Sequence, residues 1–204
     1  DLVIFTSGIP RRPCMCRDEV LETNSYEATK DSDLVIITSG IPRRPGMSRD
    51  ELLETNTNIV SSVVRETVKR SPDAILIIVS NPLDVMTHVA SRVSGFPRNR
   101  VIGMAGVLDS SRYCYFVAKA ANVSVDNVEA VVLGGHGDTM VPIRSCCRIA
   151  GMPVEQFLSN DELEAIETRT RKAGGEVVGL LGVGSAFVSP AWSALQMAEA
   201  IIYG

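Results

Sequence analysis

Between residues 33 and 104 the chain alternates strand-like and helix-like patterns. Runs 33–38 and 74–79 are short, rich in β-branched residues and followed by Ser39-Gly40 and Ser80-Asn81-Pro82, as buried strands are, and 101–104 is a third short strand. Residues 50–68 and 83–95 place apolar side chains at helical spacing. Because a strand–helix–strand order returns the chain to the same edge of a sheet, the pattern predicts an α/β fold with a parallel sheet.

Composition excludes several classes of protein. Of 204 residues, 45% are hydrophobic and 22% charged, which predicts a globular chain rather than a disordered one. The longest apolar run, Ala74–Val79, is far too short to cross a membrane. Twenty basic and 24 acidic residues give a net charge of -4 without a strongly basic block, so we expect neither nucleic acid nor membrane as a partner.

The cysteines and the chain ends suggest the setting. The five cysteines are an odd number, Cys146 and Cys147 are adjacent, and zinc-type spacing is absent, which favours reduced thiols in the cytoplasm and no metal. No signal peptide is expected. The chain begins at Asp1 and ends directly after an apolar helical pattern, so we expect both ends to be cut.

A 24-residue repeat opens the chain. Residues 1–24 and 33–56 are identical at 20 of 24 positions. Two copies are too few for a solenoid, and nothing after Asn56 continues the pattern. A tandem duplication of one strand–loop–helix piece, or an error of sequence assembly, accounts for it.

Beyond residue 104 the pattern changes. We expect helices at 109–121, 161–181 and 188–202, and strands at 128–133 and 140–149. The resulting division is a duplicated segment at 1–24, part of one α/β domain at 25–104 and a second domain at 105–204.

Several polar residues could carry chemistry. His136 lies between glycines in GGHGD, and an imidazole there could transfer protons, although an isolated loop histidine often has no role. Asp109 and Arg112 share a helix face; they could orient a histidine and bind a carboxylate, or form an ordinary surface pair.

Two strand ends add further candidates. Ligands of parallel sheets bind beyond the carboxyl ends of the strands, which places Gly40 and Asn81 at the ligand edge. The loop after Gly40 carries Arg43, Arg44 and Arg49 and could close over an anionic substrate, or could be a solvated basic loop.

Taken together and in order, these motifs resemble the lactate/malate dehydrogenase family over roughly residues 25–204. The similarity is greatest to its lactate-dehydrogenase-like bacterial malate dehydrogenases. The motifs that carry the resemblance are TSGIPRRPGMSR (38–49), ETNTNIV (54–60), IIVSNPLDVMTHV (77–89), RVIGMAGVLDSSR (100–112), VVLGGHGDTMVP (131–142) and GSAFVSPA (184–191). Each motif alone is weak, but their order and spacing together are specific.

The resemblance implies a fold, a reaction and residue roles. It implies a partial Rossmann-type sheet followed by part of an α+β substrate domain, NAD as cofactor and hydride transfer between (S)-malate and oxaloacetate. His136 matches the catalytic acid/base and Asp109 its orienting partner. The substrate-binding positions are Arg43, Arg49, Asn81 and Arg112, with Arg43 at the position that selects a second carboxylate. The cofactor-binding positions are Gly40, Asn56, Val79 and Asn81.

The same resemblance implies a homo-oligomer, a dimer or tetramer. The sequence departs from the family pattern because it contains no G-x-G-x-x-G fingerprint for the pyrophosphate. Two alternatives therefore remain: a dehydrogenase for another 2-hydroxy acid such as lactate, or a non-catalytic fragment. In the first copy of the repeat, Arg11 and Arg17 mirror Arg43 and Arg49, and we assign function to the second copy because the helix and the SNP strand follow it at family spacing.

Overall fold

A computed structural model describes residues 2–5, 20–22, 26–42, 46–182 and 184–204. The described residues up to 104 and residues 198–204 fall into one compact unit, and the described residues between 105 and 197 fall into a second. Among the residues described, no helix has the length and apolar character needed to cross a membrane.

The first unit contains a five-stranded parallel sheet of order β2-β1-β3-β4-β5. Its strands are β1 (Leu2–Phe5), β2 (Val20–Glu22), β3 (Leu34–Ile37), β4 (Ile75–Ile78) and β5 (Val101–Gly103). Its helices are α1 (Arg49–Arg70) and α2 (Leu83–Ser94). The predicted α/β class is confirmed: all three expected strands and both helices between them are present.

The strands β3 and β4 are at the centre of this sheet because their side chains are apolar on both faces. All four residues of β3 are buried, as are Leu76, Ile77 and Ile78 of β4. Such continuous apolar runs are typical of strands covered on both sides, and each fully buried Leu or Ile contributes roughly 1.5–3 kcal/mol. This packing fixes where β3 and β4 end, and therefore where the loops that follow them lie.

The helix α1 begins and ends at residues that the sequence marks clearly. The Ser48 hydroxyl accepts a hydrogen bond from the Glu51 N–H at 3.1 Å, and the Glu51 carboxylate accepts one from the Ser48 N–H at 2.8 Å. The helix stops at Arg70, where Ser71-Pro72 cannot continue it.

The repeat does not give two copies of the same structure. The strand β1 lies beside β3 with each residue opposite its own counterpart, for example Val3 beside Val35. Val20–Glu22 forms strand β2, whereas its counterpart Leu52–Glu54 lies within α1. The expected helix at the end of the first copy is therefore wrong for residues 20–22, because pairing with β1 competes with helix formation there. The first-copy loop, which contains Arg11 and Arg17, lies outside the described residues.

The second unit packs helices against small antiparallel sheets. Its helices are α3 (Gly106–Ala121) and α4 (Asn160–Leu181), and α5 (Val188–Tyr203) runs from residue 188 toward the end of the chain. Its strands are β6 (Val128–Glu129), β7 (Val132–Gly134), β8 (Met140–Pro142), β9 (Arg148–Ile149) and β10 (Met152–Pro153). The helices α3 and α4 pack on each other, and Tyr113, Val117 and Leu163 lie in the core between these elements.

Two expected strands of this unit are broken. The run 128–133 divides into β6 and β7, which pair with β9 and β8 respectively. The run 140–149 divides into β8 and β9 around a single 3₁₀ turn at Arg144–Cys146. Both runs remain largely apolar on each side of the break, so the sequence pattern alone does not reveal the breaks.

Candidate active site

His136 lies in the loop that joins β7 to β8. The loop needs glycine at its start: Gly134 has φ +86°, and a Cβ there would lie 2.8 Å from the Thr139 carbonyl oxygen. Tight backbone hydrogen bonds close the turn, with Gly137 donating to Gly135 and Met140 donating to Gly137, each at 3.0 Å. The glycines thus make a compact loop that carries one imidazole.

Asp109 and His136 form the central pair of the site. The Asp109 Oδ2 atom lies 2.8 Å from His136 Nδ1, and the Asp109 side chain is only 3% exposed against 18% for His136. Because a carboxylate only accepts hydrogen bonds, it holds the proton on Nδ1 and leaves Nε2 as the nitrogen that can exchange a proton with a substrate. This is the arrangement of an oriented acid/base.

Arg112 completes a triad on the first turns of α3. Its Nη1 atom lies 3.6 Å from Asp109 Oδ1, and its side chain is 12% exposed. Burial lowers the pKa of Arg112 from its ordinary value, and the charge of Asp109 opposes that shift. Asp109 Oδ1 accepts no hydrogen bond from any residue described, so the guanidinium is held near the carboxylate by charge rather than by a short bidentate pair. A desolvated guanidinium of this kind is suited to a carboxylate ligand.

In the first unit, the loops after β3 and β4 carry the other candidates. Val79 donates its backbone N–H to Ile37 at 2.8 Å, which keeps the two strand ends in step. The Ser80 hydroxyl donates to the Ser39 carbonyl at 2.6 Å, so the two loops are tied side by side. Gly40 and Asn81 are the next residues of these loops, at the carboxyl edge where ligands of parallel sheets bind.

Asn56 forms hydrogen bonds with the backbone of both loops. This residue of α1 is 1% exposed, and its Oδ1 accepts a hydrogen bond from the Ile41 N–H at 2.8 Å. Its Nδ2 donates to the carbonyls of Asn81, at 2.7 Å, and Ile41, at 3.2 Å. The Asn56 amide therefore binds main-chain atoms. The sequence does not indicate this structural role, because Ile41 and Asn81 lie 15 and 25 residues from Asn56.

Glycine at position 40 follows from the same contact. A Cβ on Gly40 would lie 3.3 Å from Asn56 Oδ1, closer than most real Cβ contacts, and its φ of +157° disfavours other residues. The loop can approach the Asn56 amide closely only because glycine stands here.

Arg49 is the first residue of α1 and is exposed. A cation at a helix N-terminus meets the positive end of the helix dipole, where acidic residues such as its neighbours Asp50 and Glu51 are preferred. An arginine at an unfavourable position is consistent with a role outside helix stability. Arg43, the expected specificity residue, lies outside the described residues.

Ser110, next to Asp109 on α3, also contacts the hairpin that carries His136, although no sequence motif marks it. Its hydroxyl accepts a hydrogen bond from the Val132 N–H at 2.9 Å, which connects α3 to β7. Nothing in the sequence distinguishes Ser110 from its neighbour Ser111. Across the described residues, no three His, Cys, Asp or Glu side chains group as metal ligands.

Comparison with known families assigns the chain. Residues 19–103 match the family model described as lactate/malate dehydrogenase, NAD binding domain, and residues 106–204 match the one described as lactate/malate dehydrogenase, alpha/beta C-terminal domain. The chain therefore belongs to the lactate/malate dehydrogenase family.

Named relatives agree with this assignment. The chain is 54% identical to a malate dehydrogenase of Chloroherpeton thalassium over 202 residues, which are 99% of this chain and 55% of that protein. The solved structure of malate dehydrogenase from Salinibacter ruber matches with a TM-score of 0.82 and 49% identity, covering 89% of this chain and 57% of that one. A lactate dehydrogenase of Cryptosporidium parvum, complexed with lactic acid and nicotinamide adenine dinucleotide, matches with a TM-score of 0.83 and 44% identity, covering 89% and 59%. The chain thus spans little more than half the length of these relatives.

Proposed function

We propose that the chain carries the catalytic residues of an NAD-dependent malate dehydrogenase, which interconverts (S)-malate and oxaloacetate. The observation that carries the proposal is the contact of 2.8 Å between Asp109 Oδ2 and His136 Nδ1, with Arg112 beside it on α3. Family membership and malate dehydrogenase relatives at about 50% identity support it.

His136 is the proton carrier in this proposal. In malate oxidation its Nε2 accepts the proton of the C2 hydroxyl, while Asp109 stabilises the imidazolium that forms. In oxaloacetate reduction the protonated imidazole returns the proton to the carbonyl oxygen. Asp109 remains a carboxylate throughout and keeps the imidazole in one tautomer.

The arginines bind and polarise the substrate. Arg112 binds the C1 carboxylate, since its guanidinium is largely buried and its contact with Asp109, at 3.6 Å, is not a tight bidentate pair. Arg49 polarises the carbonyl at C2, and Arg43 pairs with the second carboxylate. Two carboxylates require two cationic anchors, because a buried carboxylate without a partner is costly. The same requirement disfavours a monocarboxylate such as lactate.

The first unit fits the nicotinamide end of NAD. Gly40, Val79 and Asn81 lie at the carboxyl ends of β3 and β4. Gly40 approaches Asn56 too closely for a side chain, so the loop presents bare backbone at position 40. Bound NAD would accept the hydride from malate C2. Asn56 contributes by fixing the backbone of the Gly40 and Asn81 loops rather than through an uncommitted amide.

Substrate choice and the assignment to the second repeat copy are tested together. We expect Arg43→Gln to lower kcat/KM for oxaloacetate about hundredfold, because the charge-assisted pair between Arg43 and the second carboxylate is lost. The ratio of kcat/KM for oxaloacetate to that for pyruvate should fall as well. Arg11→Gln is the matched control in the first copy and should change neither value. Equal effects of both substitutions, or none from Arg43→Gln, would contradict the assignment.

The alternatives make different predictions. A 2-hydroxy acid dehydrogenase of other specificity would prefer pyruvate to oxaloacetate. A non-catalytic fragment, which the absence of a G-x-G-x-x-G motif favours, would turn over neither. We also propose that the protein acts in the cytoplasm and that it forms a homodimer or homotetramer. Light scattering on the purified protein tests the oligomeric state.

A further inference from the structure

We propose that Ser110 is a positioning residue that sets the geometry of the Asp109–His136 pair by anchoring the hairpin β7–β8 to α3. The catalytic part of this inference rests on the proposed function. Its geometric part concerns only where the imidazole proton lies, so it can be tested without turnover.

Ser110 accepts a hydrogen bond from a backbone N–H at the open edge of β7. The strands β7 and β8 form a two-stranded sheet, so the outward backbone groups of β7 have no neighbouring strand. Val132 is 2% exposed, and its N–H donates to the Ser110 hydroxyl at 2.9 Å. A buried backbone donor without a partner is costly, so this bond holds the strand at one distance from the helix.

A second contact places the same strand against the same helical turn. A Cβ added to Gly106 would lie 3.4 Å from the Val132 carbonyl oxygen. Both backbone polar groups of Val132 therefore lie close to the first turns of α3, the helix that carries Asp109. Because Gly106 and Ser110 lie within three residues of Asp109, their contacts with Val132 set the distance between β7 and Asp109.

The position of His136 follows from this anchor. Only Gly135 separates the end of β7 from His136, and the loop is closed by short-range backbone hydrogen bonds. The other strand has its own anchor, because Arg171 on α4 donates from Nε to the Met140 carbonyl at 3.2 Å. Loss of the Ser110 bond should therefore shift the loop rather than unfold it.

The neighbouring serine provides a matched control. The Ser111 hydroxyl donates to the Leu108 carbonyl at 2.7 Å, a bond within α3 that does not reach the hairpin. Ser110→Ala and Ser111→Ala make the same chemical change one residue apart. A general effect on α3 would appear in both variants, and a positioning effect only in the first.

The decisive readout is the tautomer of His136, measured from the nitrogen shifts of the ¹⁵N-labelled imidazole on the alkaline side of its titration. The chain has two histidines, so His88→Gln assigns the signals. We expect the Nδ1–H form in wild type, because Asp109 accepts that proton. Ser110→Ala should change it to a mixture with the Nε2–H form, while Ser111→Ala and the conservative Ser110→Thr keep the wild-type tautomer.

Kinetics give a second readout. Ser110→Ala should lower kcat about tenfold and leave KM for oxaloacetate within about twofold, because Arg112 stays in place on α3. An unchanged tautomer in Ser110→Ala, or an equal change in Ser111→Ala, would overturn the proposal whether or not the chain is active. If Ser110→Ala does not fold, Ser110→Val replaces it, because valine has the shape of threonine but no acceptor, and retention of the wild-type tautomer there overturns the proposal. A chain without turnover that shows the expected tautomer shift would contradict the proposed function alone.

Discussion

Asp109 and His136 are 27 residues apart in the chain, yet Oδ2 of the first lies 2.8 Å from Nδ1 of the second. The carboxylate comes from the first turns of α3 and the imidazole from the glycine-rich loop after β7. Both residues lie in the same compact unit.

Replacing the carboxylate of this pair should abolish most activity. Asp109→Asn keeps the shape of the side chain, but its amide can donate as well as accept, so it no longer fixes the proton on Nδ1. We expect kcat for oxaloacetate reduction to fall about 10²- to 10⁴-fold. Asp73→Asn, at a fully exposed aspartate, is the control and should be neutral. A loss below threefold in Asp109→Asn, on the order of what a surface change gives, would show that the pair is not catalytic.

Arg112 should act mainly on substrate affinity. Arg112→Lys retains the charge but loses the planar fork that a carboxylate requires. We expect kcat/KM for oxaloacetate to fall roughly 30- to 100-fold, chiefly through KM, in steady-state assays. Arg148→Lys tests a residue of the same unit whose guanidinium donates to the exposed Gly151 carbonyl, and it should behave as wild type. A pure kcat effect would assign Arg112 to the chemical step instead of binding.

Asn56 should couple stability to cofactor binding. Asn56→Ala removes three hydrogen bonds and leaves the Ile41 N–H and the Asn81 carbonyl without their partner. We expect a loss of about 2–3 kcal/mol in the free energy of unfolding and about tenfold weaker NADH binding by fluorescence titration. The exposed Asn58, two residues further along α1, is the matched control. Unchanged NADH affinity in a folded Asn56→Ala variant would contradict a role at the nicotinamide loops.

Cys147 should make the protein sensitive to alkaline pH. Burial raises the pKa of this thiol from 9.0 to about 11. Because the folded pKa is the higher one, the unfolded chain loses its proton first as pH rises. Stability is therefore fully present below about pH 9 and falls by about 2 kcal/mol between pH 9 and 11.

Urea denaturation at pH 8 and pH 10 measures this effect. Cys147→Ala should reduce the difference in the free energy of unfolding between the two pH values, because this thiol is gone, while burial also raises the pKa values of Cys114 and Tyr113. Cys146→Ala removes an exposed thiol and should leave the difference unchanged. If the Cys147 variant retained the full alkaline loss, another group would be responsible for it.

The α/β part of the fold could be predicted because its signals are local. The runs that became β3 and β4 are apolar throughout, and Ser48 with Glu51 forms a capping box that marks the start of α1. Local patterns failed where long-range pairing decides the outcome. Val128 and Val132 are both buried at strand-like spacing, yet they pair with different strands.

The candidate site also contains residues that the sequence predicts and contacts that it does not. The motifs around His136, Asp109 and Arg112 were predicted to work together through resemblance to a family, since no local rule joins residues 27 positions apart. The backbone contacts of Asn56 and Ser110 could not be predicted, because both side chains bind main-chain atoms whose positions exist only in the folded protein.

In the proposed reaction, His136 is the acid/base that exchanges a proton with the substrate. The most direct test is oxidation of NADH by the purified chain with oxaloacetate, beside a His136→Asn variant of equal secondary structure by circular dichroism. We predict oxaloacetate-dependent loss of NADH absorbance by the wild-type chain, reduced at least about 10³-fold in the variant. No oxaloacetate-dependent loss from a folded wild-type chain, or equal rates in the two proteins, would contradict the account.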